Sequence, residues 1–160
     1  MDNRSVTSNF LILCYVLLGV GCTPQCERTR FESAQPLISP MIEFKTEEIQ
    51  KGQGPALKNG DSLAVYYRGW IYDESRPDKK GAIIGDNYST KNPQQILFGE
   101  DELINGWQEG LSGIQAGGKR RLFIPSSMAY GDDGAGPSVP PGAHLIYEIE
   151  VISLTPATTH

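Results

Sequence analysis

From residue 63 onward the apolar residues of this chain recur with two different periods, and this contrast most constrains its fold. Three segments alternate with a period of two, as half-buried strands do: Leu63, Val65, Tyr67 and Ile71, then Leu122 and Ile124, then Leu145, Tyr147, Ile149 and Val151. One segment has helical spacing instead: Leu103, Ile104, Trp107, Leu111 and Ile114. The pair Gly117-Gly118 follows it and supplies the backbone freedom that ends a helix. Because each element has one apolar face to bury, we predict an α+β fold in which a mostly antiparallel sheet covers one short helix.

Composition and charge argue against several functional classes. The chain has 160 residues and a formal net charge of −5, and its basic residues are scattered apart from the triplet at 119–121, so we expect no nucleic-acid partner. Two histidines, His144 and His160, and no cysteine after Cys26 provide neither a metal-ligand set nor a Ser-His-Asp arrangement. We therefore expect no metal and no cofactor.

Four motifs along these elements carry a family resemblance. They are VYYRGW at 65–70, LINGWQEGLSGIQAGGKRRLFIP at 103–125, AYG at 129–131 and VPPGAHLIYEIEV at 139–151. In order, spacing and residue type they resemble the FKBP family, the macrolide-binding peptidyl-prolyl cis/trans isomerases. The resemblance implies one isomerase domain over residues 44–155, folded as a twisted antiparallel sheet wrapped around one short α-helix.

Such an isomerase needs no nucleophile. The barrier to rotation about an X-Pro bond is roughly 18–20 kcal/mol and comes from amide resonance, so no proton has to move. A protein can lower it by holding the proline ring in an apolar pocket and binding the twisted amide better than either planar form. Aromatic side chains suit the walls of that pocket.

The resemblance assigns pocket roles to four aromatic residues. Trp107 is implied as the floor, Tyr67 and Tyr147 as walls, and Tyr130 as the donor of a hydroxyl hydrogen bond to a substrate carbonyl. Taken singly, Trp107 or Tyr147 would be interpreted as a core residue. Because all four stand at pocket positions of one family, we predict that they form a binding site.

Three more residues are implied at the edge of this pocket. Leu103 and Ile104 line its rim, with the backbone N–H of Ile104 as a further donor, and Val139 lies on the loop over the mouth. The implied substrates are proline-containing polypeptides, and macrolides are implied ligands.

The segment before the second motif departs from the family pattern. Ile84 takes the place of an aromatic wall and Gly85 that of the pocket carboxylate, while Asp86 comes one residue late. A one-residue bulge at Gly85 would turn Asp86 into the pocket; otherwise Asp86 is a solvated turn residue. Gln94 replaces an aromatic wall and Ser138 an apolar flap residue, so we predict weakened binding of macrolides and of bulky residues before proline. Two interpretations stay open: an isomerase of reduced activity, or a chaperone or partner-binding module with little turnover.

The N-terminal residues differ in kind. Residues 10–21, FLILCYVLLGVG, form an apolar run of twelve, shorter than the about 20 residues of a spanning helix but typical of a signal-peptide core. Residues 18–22, LGVGC, resemble a bacterial lipoprotein cleavage box, which implies a signal peptide over 1–21 and Cys22 as the lipidated first residue of the mature chain. The alternatives are an ordinary signal peptide cut near Cys22 and an uncleaved anchor.

Residues 22–43 are predicted to be a flexible tether. They contain Pro24, Pro36 and Pro40 among polar residues without a sustained period. If Cys22 is not lipidated, a small Cys22–Cys26 disulfide loop is the alternative. Together these features predict an exported monomer that assists the folding of exported proteins in the periplasm or cell envelope, anchored to a membrane through the lipid on Cys22.

Overall fold

Residues 42–157 are described by the computed structural model and contain six β-strands, one α-helix and one short 3₁₀ helix. In chain order these are β1 (Lys45–Gln50), β2 (Ser62–Tyr72), β3 (Lys80–Asp86), β4 (Gln94–Leu97), α1 (Asn105–Leu111), β5 (Lys119–Ile124), the 3₁₀ helix (Ser126–Met128) and β6 (Leu145–Thr155). The predicted signal peptide, Cys22 and nearly all of the predicted tether lie outside the described residues.

All six strands belong to one antiparallel sheet. Its order is β1-β5-β6-β2-β3, and β4 pairs with β2 off this path. The first half of β2 therefore has β4 at its open edge, through the pairs Ser62–Leu97 to Val65–Gln94, and the second half has β3. The predicted combination of an antiparallel sheet with a single helix is confirmed.

Helix α1 packs against β5 at close range. An added Cβ atom would overlap Ile124 at Gly106 and Leu122 at Gly110, so these two glycines let the helix backbone approach the sheet. A helix of seven residues is too short to be stable alone, and its burial against the sheet must stabilise it. Between residues 42 and 157, no helix is long and apolar enough to cross a membrane.

The core lies between α1 and the inner face of the sheet. Its fully buried side chains are those that the period-two and helical patterns predicted, with Ile96 of β4 in addition: Leu63, Val65, Ile96, Leu111, Leu122, Ile124, Leu145, Ile149 and Val151. Tyr67, Trp107 and Tyr147 lie at one end of this core. The fold thus brings aromatic side chains from β2, α1 and β6 together at one place.

Candidate active site

A cavity of about 260 Å³ opens beside the N-terminal end of α1. Its walls come from β2, β4, α1, β6 and two loops: Tyr67, Gln94, Glu102, Leu103, Ile104, Trp107, Tyr130 and Tyr147. Seven of these eight residues were predicted to belong to the site, and Glu102 was not. Among residues 42–157 no cluster of His, Cys, Asp or Glu side chains could hold a metal ion.

Three aromatic rings form the deep part of the cavity. The ring centroids of Tyr67 and Trp107 are 5.3 Å apart and those of Trp107 and Tyr147 are 5.2 Å apart, both in edge-to-face geometry. Tyr67 and Tyr147 approach each other to 6.1 Å. Trp107 and Tyr147 are 6% and 7% exposed, so each presents only a small part of its ring to the cavity. Mutual packing of this kind fixes the rings and leaves a rigid apolar surface.

The local sequence explains how these rings converge. Tyr147 of β6 lies opposite Gly69 of β2, and an added Cβ atom at Gly69 would lie 2.9 Å from the Tyr147 Cδ1 atom, so glycine makes room for the ring. Trp107 lies in the first turn of α1, where its backbone N–H donates to the Ile104 carbonyl at 2.9 Å. The helix start therefore positions the floor residue directly beside Leu103 and Ile104.

Hydrogen-bond donors lie around the apolar rings. Burial raises the pKa of Tyr147, and the neighbouring Tyr130 and Tyr67 add to the effect, so its phenol stays protonated at neutral pH. Tyr130 is 38% exposed and brings its hydroxyl to the cavity mouth. The indole N–H of Trp107 is buried, and neither it nor the backbone N–H of Ile104 donates to another group in the described part of the chain. The cavity thus combines an apolar interior with unused donors.

Two residues predicted to bind substrate do not line the cavity. Val139 is only 6% exposed and belongs to the core, where its backbone pairs with Ala135. Ile84 is half-buried and packs against the same core. Both stabilise the surroundings of the cavity instead.

The structure corrects the expectation for Asp86. The bulge in β3 lies at Ile84, between the pairs Gly85–Gly69 and Ile83–Trp70, so Gly85 and Asp86 keep the alternation set by β2. Gly85 faces the cavity side, where an added Cβ atom would lie 3.1 Å from Tyr67 Cε2. Asp86 lies opposite Arg68 on the other face, and the carboxylate and guanidinium are 2.9 Å apart. The prediction that Asp86 turns into the pocket is wrong, and the inward position carries no carboxylate.

The charge state of Asp86 agrees with this placement. Partial desolvation opposes ionisation, but hydrogen bonds from Arg68 and from the backbone N–H of Tyr88 hold the pKa of Asp86 below its usual value. Asp86 is therefore an ionised member of an ion pair on the outer face of the sheet.

Asn87 supports the Tyr67 wall in a way that the sequence did not indicate. Its side-chain oxygen accepts from the Tyr67 backbone N–H at 2.6 Å, and its side-chain amide donates to the Val65 carbonyl at 3.0 Å. It thereby fills the gap along β2 between the ends of β3 and β4. The side chain, together with the Asn87 backbone N–H that donates to the Tyr67 carbonyl at 3.2 Å, replaces the pairing that a continuous edge strand would supply.

Comparisons with known proteins agree with the fold. The family described as FKBP-type peptidyl-prolyl cis-trans isomerase matches residues 54–152. An FK506-binding protein of Neisseria meningitidis serogroup B is 37% identical over 108 residues, which are 68% of this chain and 93% of that protein. Peptidyl-prolyl cis-trans isomerase FKBP15-1 of Arabidopsis thaliana is 36% identical over 59% of this chain and 58% of its own length.

Solved structures of bacterial proteins show the same architecture. FkpA from Escherichia coli superposes with a TM-score of 0.61 and 32% identity, over 72% of this chain and 49% of that chain. A peptidyl-prolyl cis-trans isomerase from Pseudomonas syringae superposes with a TM-score of 0.58 and 33% identity, over 71% of this chain and 76% of that one. The chain therefore spans about half of the matched Escherichia coli chain.

Proposed function

This chain belongs to the FKBP-type peptidyl-prolyl cis-trans isomerases, and we propose that it isomerises X-Pro bonds in the cavity beside α1. The observation that carries the proposal is the set of three mutually packed rings, Tyr67, Trp107 and Tyr147, around an opening with room for a prolyl ring. Such a site binds proline through apolar contact with the ring rather than through charge.

The chemistry follows from the electronic change during rotation. A planar amide has charge separated between its oxygen and nitrogen by resonance, and a twisted amide has lost that resonance. Water stabilises the planar form through its charge separation, so a site that excludes water from the bond favours the twisted form by comparison. Trp107 and Tyr147 supply the low-polarity surface for this step, and no side chain has to transfer a proton.

Unused donors at the rim hold the peptide on either side of the rotating bond. We assign the Tyr130 hydroxyl and the backbone N–H of Ile104 to substrate carbonyl groups, because both lie at the cavity. Leu103 adds apolar contact at the same rim. Fixing the flanking groups while the prolyl ring stays in the cavity restricts the motion to rotation about one bond.

The alternative function is a partner-binding or chaperone-like module with little turnover. It is favoured by two features of the cavity: Gly85 supplies no carboxylate on the inner side of β3, and Gln94 gives one wall a polar surface. The polar surface of Gln94 also weakens the apolar fit of a macrolide. The isomerase interpretation is supported by the three aromatic rings of Tyr67, Trp107 and Tyr147, because rotation about the X-Pro bond requires an apolar surface around the proline.

The cellular role is proposed from the N-terminal sequence. An apolar run followed by a cleavage-box-like LGVGC supports export and lipidation at Cys22, and hence action on exported polypeptides as a membrane-anchored monomer. Cells grown with a labelled fatty acid test this: the wild-type chain should be labelled, and Cys22→Ala should not.

The isomerase proposal is tested by measuring cis-to-trans exchange of neutral Ala-Pro peptides in the presence of the full chain. Tyr130→Phe should lower kcat/KM severalfold and change the free energy of unfolding by no more than about 1 kcal/mol, because it removes one half-exposed hydroxyl. Tyr66→Phe is the matched control, since Tyr66 stacks on Tyr88 away from the cavity. Equal activity of both variants would refute the role of Tyr130, and no acceleration by the folded wild-type chain would favour the binding module.

A further inference from the structure

The segments around the cavity carry charge of one sign. Between Lys91 and Lys119 the sequence has carboxylates but no Lys or Arg, and after Arg121 it again has no Lys or Arg. All the cavity-lining residues except Tyr67 come from these two segments. Among the described residues, no Lys or Arg side chain lines the cavity.

One carboxylate belongs to the cavity itself. Glu102 lines it directly before Leu103 and Ile104, and its side chain is exposed. Among the described residues it forms neither an ion pair nor a side-chain hydrogen bond, whereas its neighbour Asp101 accepts from the Leu97 backbone N–H at 2.8 Å. Asp101 is used by the fold, and Glu102 remains available to a ligand.

The loop that carries Tyr130 also has negative charge. Tyr130 lines the cavity, and Asp132 and Asp133 follow it in a turn closed by the Gly134 N–H, which donates to the Tyr130 carbonyl at 3.2 Å. Both aspartates are exposed. They give the loop after Tyr130 the same negative sign as Glu102.

We propose that Glu102 makes the cavity select X-Pro segments that carry Lys or Arg next to the proline. This inference rests on the isomerase function proposed above and names the substrates that the same cavity prefers. A Lys or Arg beside the bound proline can pair with Glu102, and an acidic residue at that place is repelled. Because the pair is exposed, the preference is modest and weakens with salt.

The test uses peptides that differ only beside the proline, with Lys, Gln or Glu placed before it in one series and after it in another. Exchange is measured by NMR with the full chain at low ionic strength. We expect kcat/KM to be about two- to fivefold higher for the Lys peptide than for the Gln peptide in at least one series, and lowest for the Glu peptide. The differences should shrink at about 0.5 M salt.

Three variants identify the responsible group, and two of them, Glu102→Gln and Glu109→Gln, remove the same single charge. Glu102→Gln should abolish the Lys preference and Glu102→Lys should invert it. Glu109→Gln, on an exposed part of α1 that does not line the cavity, should preserve it.

Each failure has its own signature. Equal kcat/KM for the Lys, Gln and Glu peptides would overturn the inference and leave the isomerase function standing. A preference that survives in Glu102→Gln would also overturn it, because the selecting charge would lie elsewhere. No acceleration of any peptide would overturn both the isomerase function and the selection.

Discussion

The two faces of the sheet use aromatic residues of the same strands in opposite ways. On the inner face Tyr67 and Tyr147 pack around Trp107 and border an open cavity. On the outer face Tyr66 stacks on Tyr88 with ring centroids 5.2 Å apart, and Arg68 and Lys119 lie over the Tyr88 ring at 5.8 and 5.3 Å. Of two adjacent residues in β2, Tyr67 therefore borders the proposed binding cavity, and Tyr66 packs within the outer face.

The faces differ in that the charged groups of the outer face pair with one another, although the buried Nε of Arg68 there also lacks a partner within the part of the chain that the structure describes. Outside, the Tyr88 hydroxyl donates to Glu150 at 3.0 Å, and Glu148 receives Lys80 at 2.7 Å and Arg121 at 2.8 Å. Inside, the indole of Trp107 has no acceptor within residues 42–157. A surface whose charges pair with one another gains little from a ligand, while unused donors beside an apolar opening gain from a peptide.

The largest expected effect comes from replacing the tryptophan of the inner face, compared with replacing the tryptophan of the outer face. Trp107→Ala should lower the free energy of unfolding by about 3–5 kcal/mol and abolish isomerisation, because it removes the floor and the contacts that fix Tyr67 and Tyr147. Trp70→Ala is the matched control on the outer face, where Lys80 lies 4.2 Å above the ring. It should destabilise the fold but leave kcat/KM per folded molecule near wild type.

Urea unfolding followed by circular dichroism, combined with exchange rates measured at a temperature where each variant is folded, makes this comparison. Loss of turnover in folded Trp70→Ala equal to that in Trp107→Ala would show that the two faces are not functionally separate.

The next effect concerns the loss of folding stability in acid, which we assign to the ion pairs of Glu148 on the outer face. Burial works against ionisation of Glu148, but hydrogen bonds from Lys80 and Arg121 lower its pKa below the ordinary 4.5. A carboxyl whose pKa is lower in the folded state stabilises the protein above its unfolded-state pKa and loses that contribution as the pH falls through the folded-state value. Stability should therefore decline below about pH 4.5.

Glu148→Gln tests this assignment. It should lower the free energy of unfolding at pH 7 by about 1.5–3 kcal/mol and flatten the acid decline, because the paired charge is gone. The exposed Glu100, changed to Gln, should shift stability by less than about 0.5 kcal/mol. An unchanged acid profile in Glu148→Gln would mean that other carboxylates govern it.

The strands that bury alternating apolar residues could be predicted from the sequence, and the strands without such a pattern could not. Leu122, Ile124 and Leu145 alternate in sequence and are fully buried in β5 and β6. Strand β1 has no buried residue and β4 buries only Ile96, so neither has an apolar period to detect. Both are defined by pairing with neighbouring strands rather than by their own pattern.

The site divides in the same way. Tyr67, Trp107 and Tyr147 line the cavity as predicted, because strand alternation and helical spacing determine their direction. Tyr130 also lines it, but it lies in a turn, and only the family resemblance implied its place there. The alternative in which Asp86 turns into the pocket was wrong because the bulge lies at Ile84 and not at Gly85. The position of the bulge decides which residue faces inward, and a local sequence pattern does not locate it. Asn87 and Glu102 were missed since their roles arise from contacts formed only when distant segments meet.

The smallest effect concerns Asn87 at the edge of β2, and it tests whether the position of Tyr67 in the cavity wall depends on the Asn87 side chain. Asn87→Ala should cost about 1–3 kcal/mol, because it leaves the Tyr67 N–H and the Val65 carbonyl without their side-chain partner, and should lower kcat/KM by letting Tyr67 shift. Asn87→Asp keeps the acceptor for Tyr67 but turns a carboxylate oxygen toward the Val65 carbonyl. It should therefore also lose stability, while its kcat/KM lies nearer to wild type than that of Asn87→Ala. Stability by urea unfolding and exchange of a neutral Ala-Pro peptide distinguish the variants. Equal kcat/KM in Asn87→Ala and Asn87→Asp would show that packing against Trp107 holds Tyr67 in place without the Asn87 side chain. The aromatic rings of the inner face would then keep their positions through contacts with one another.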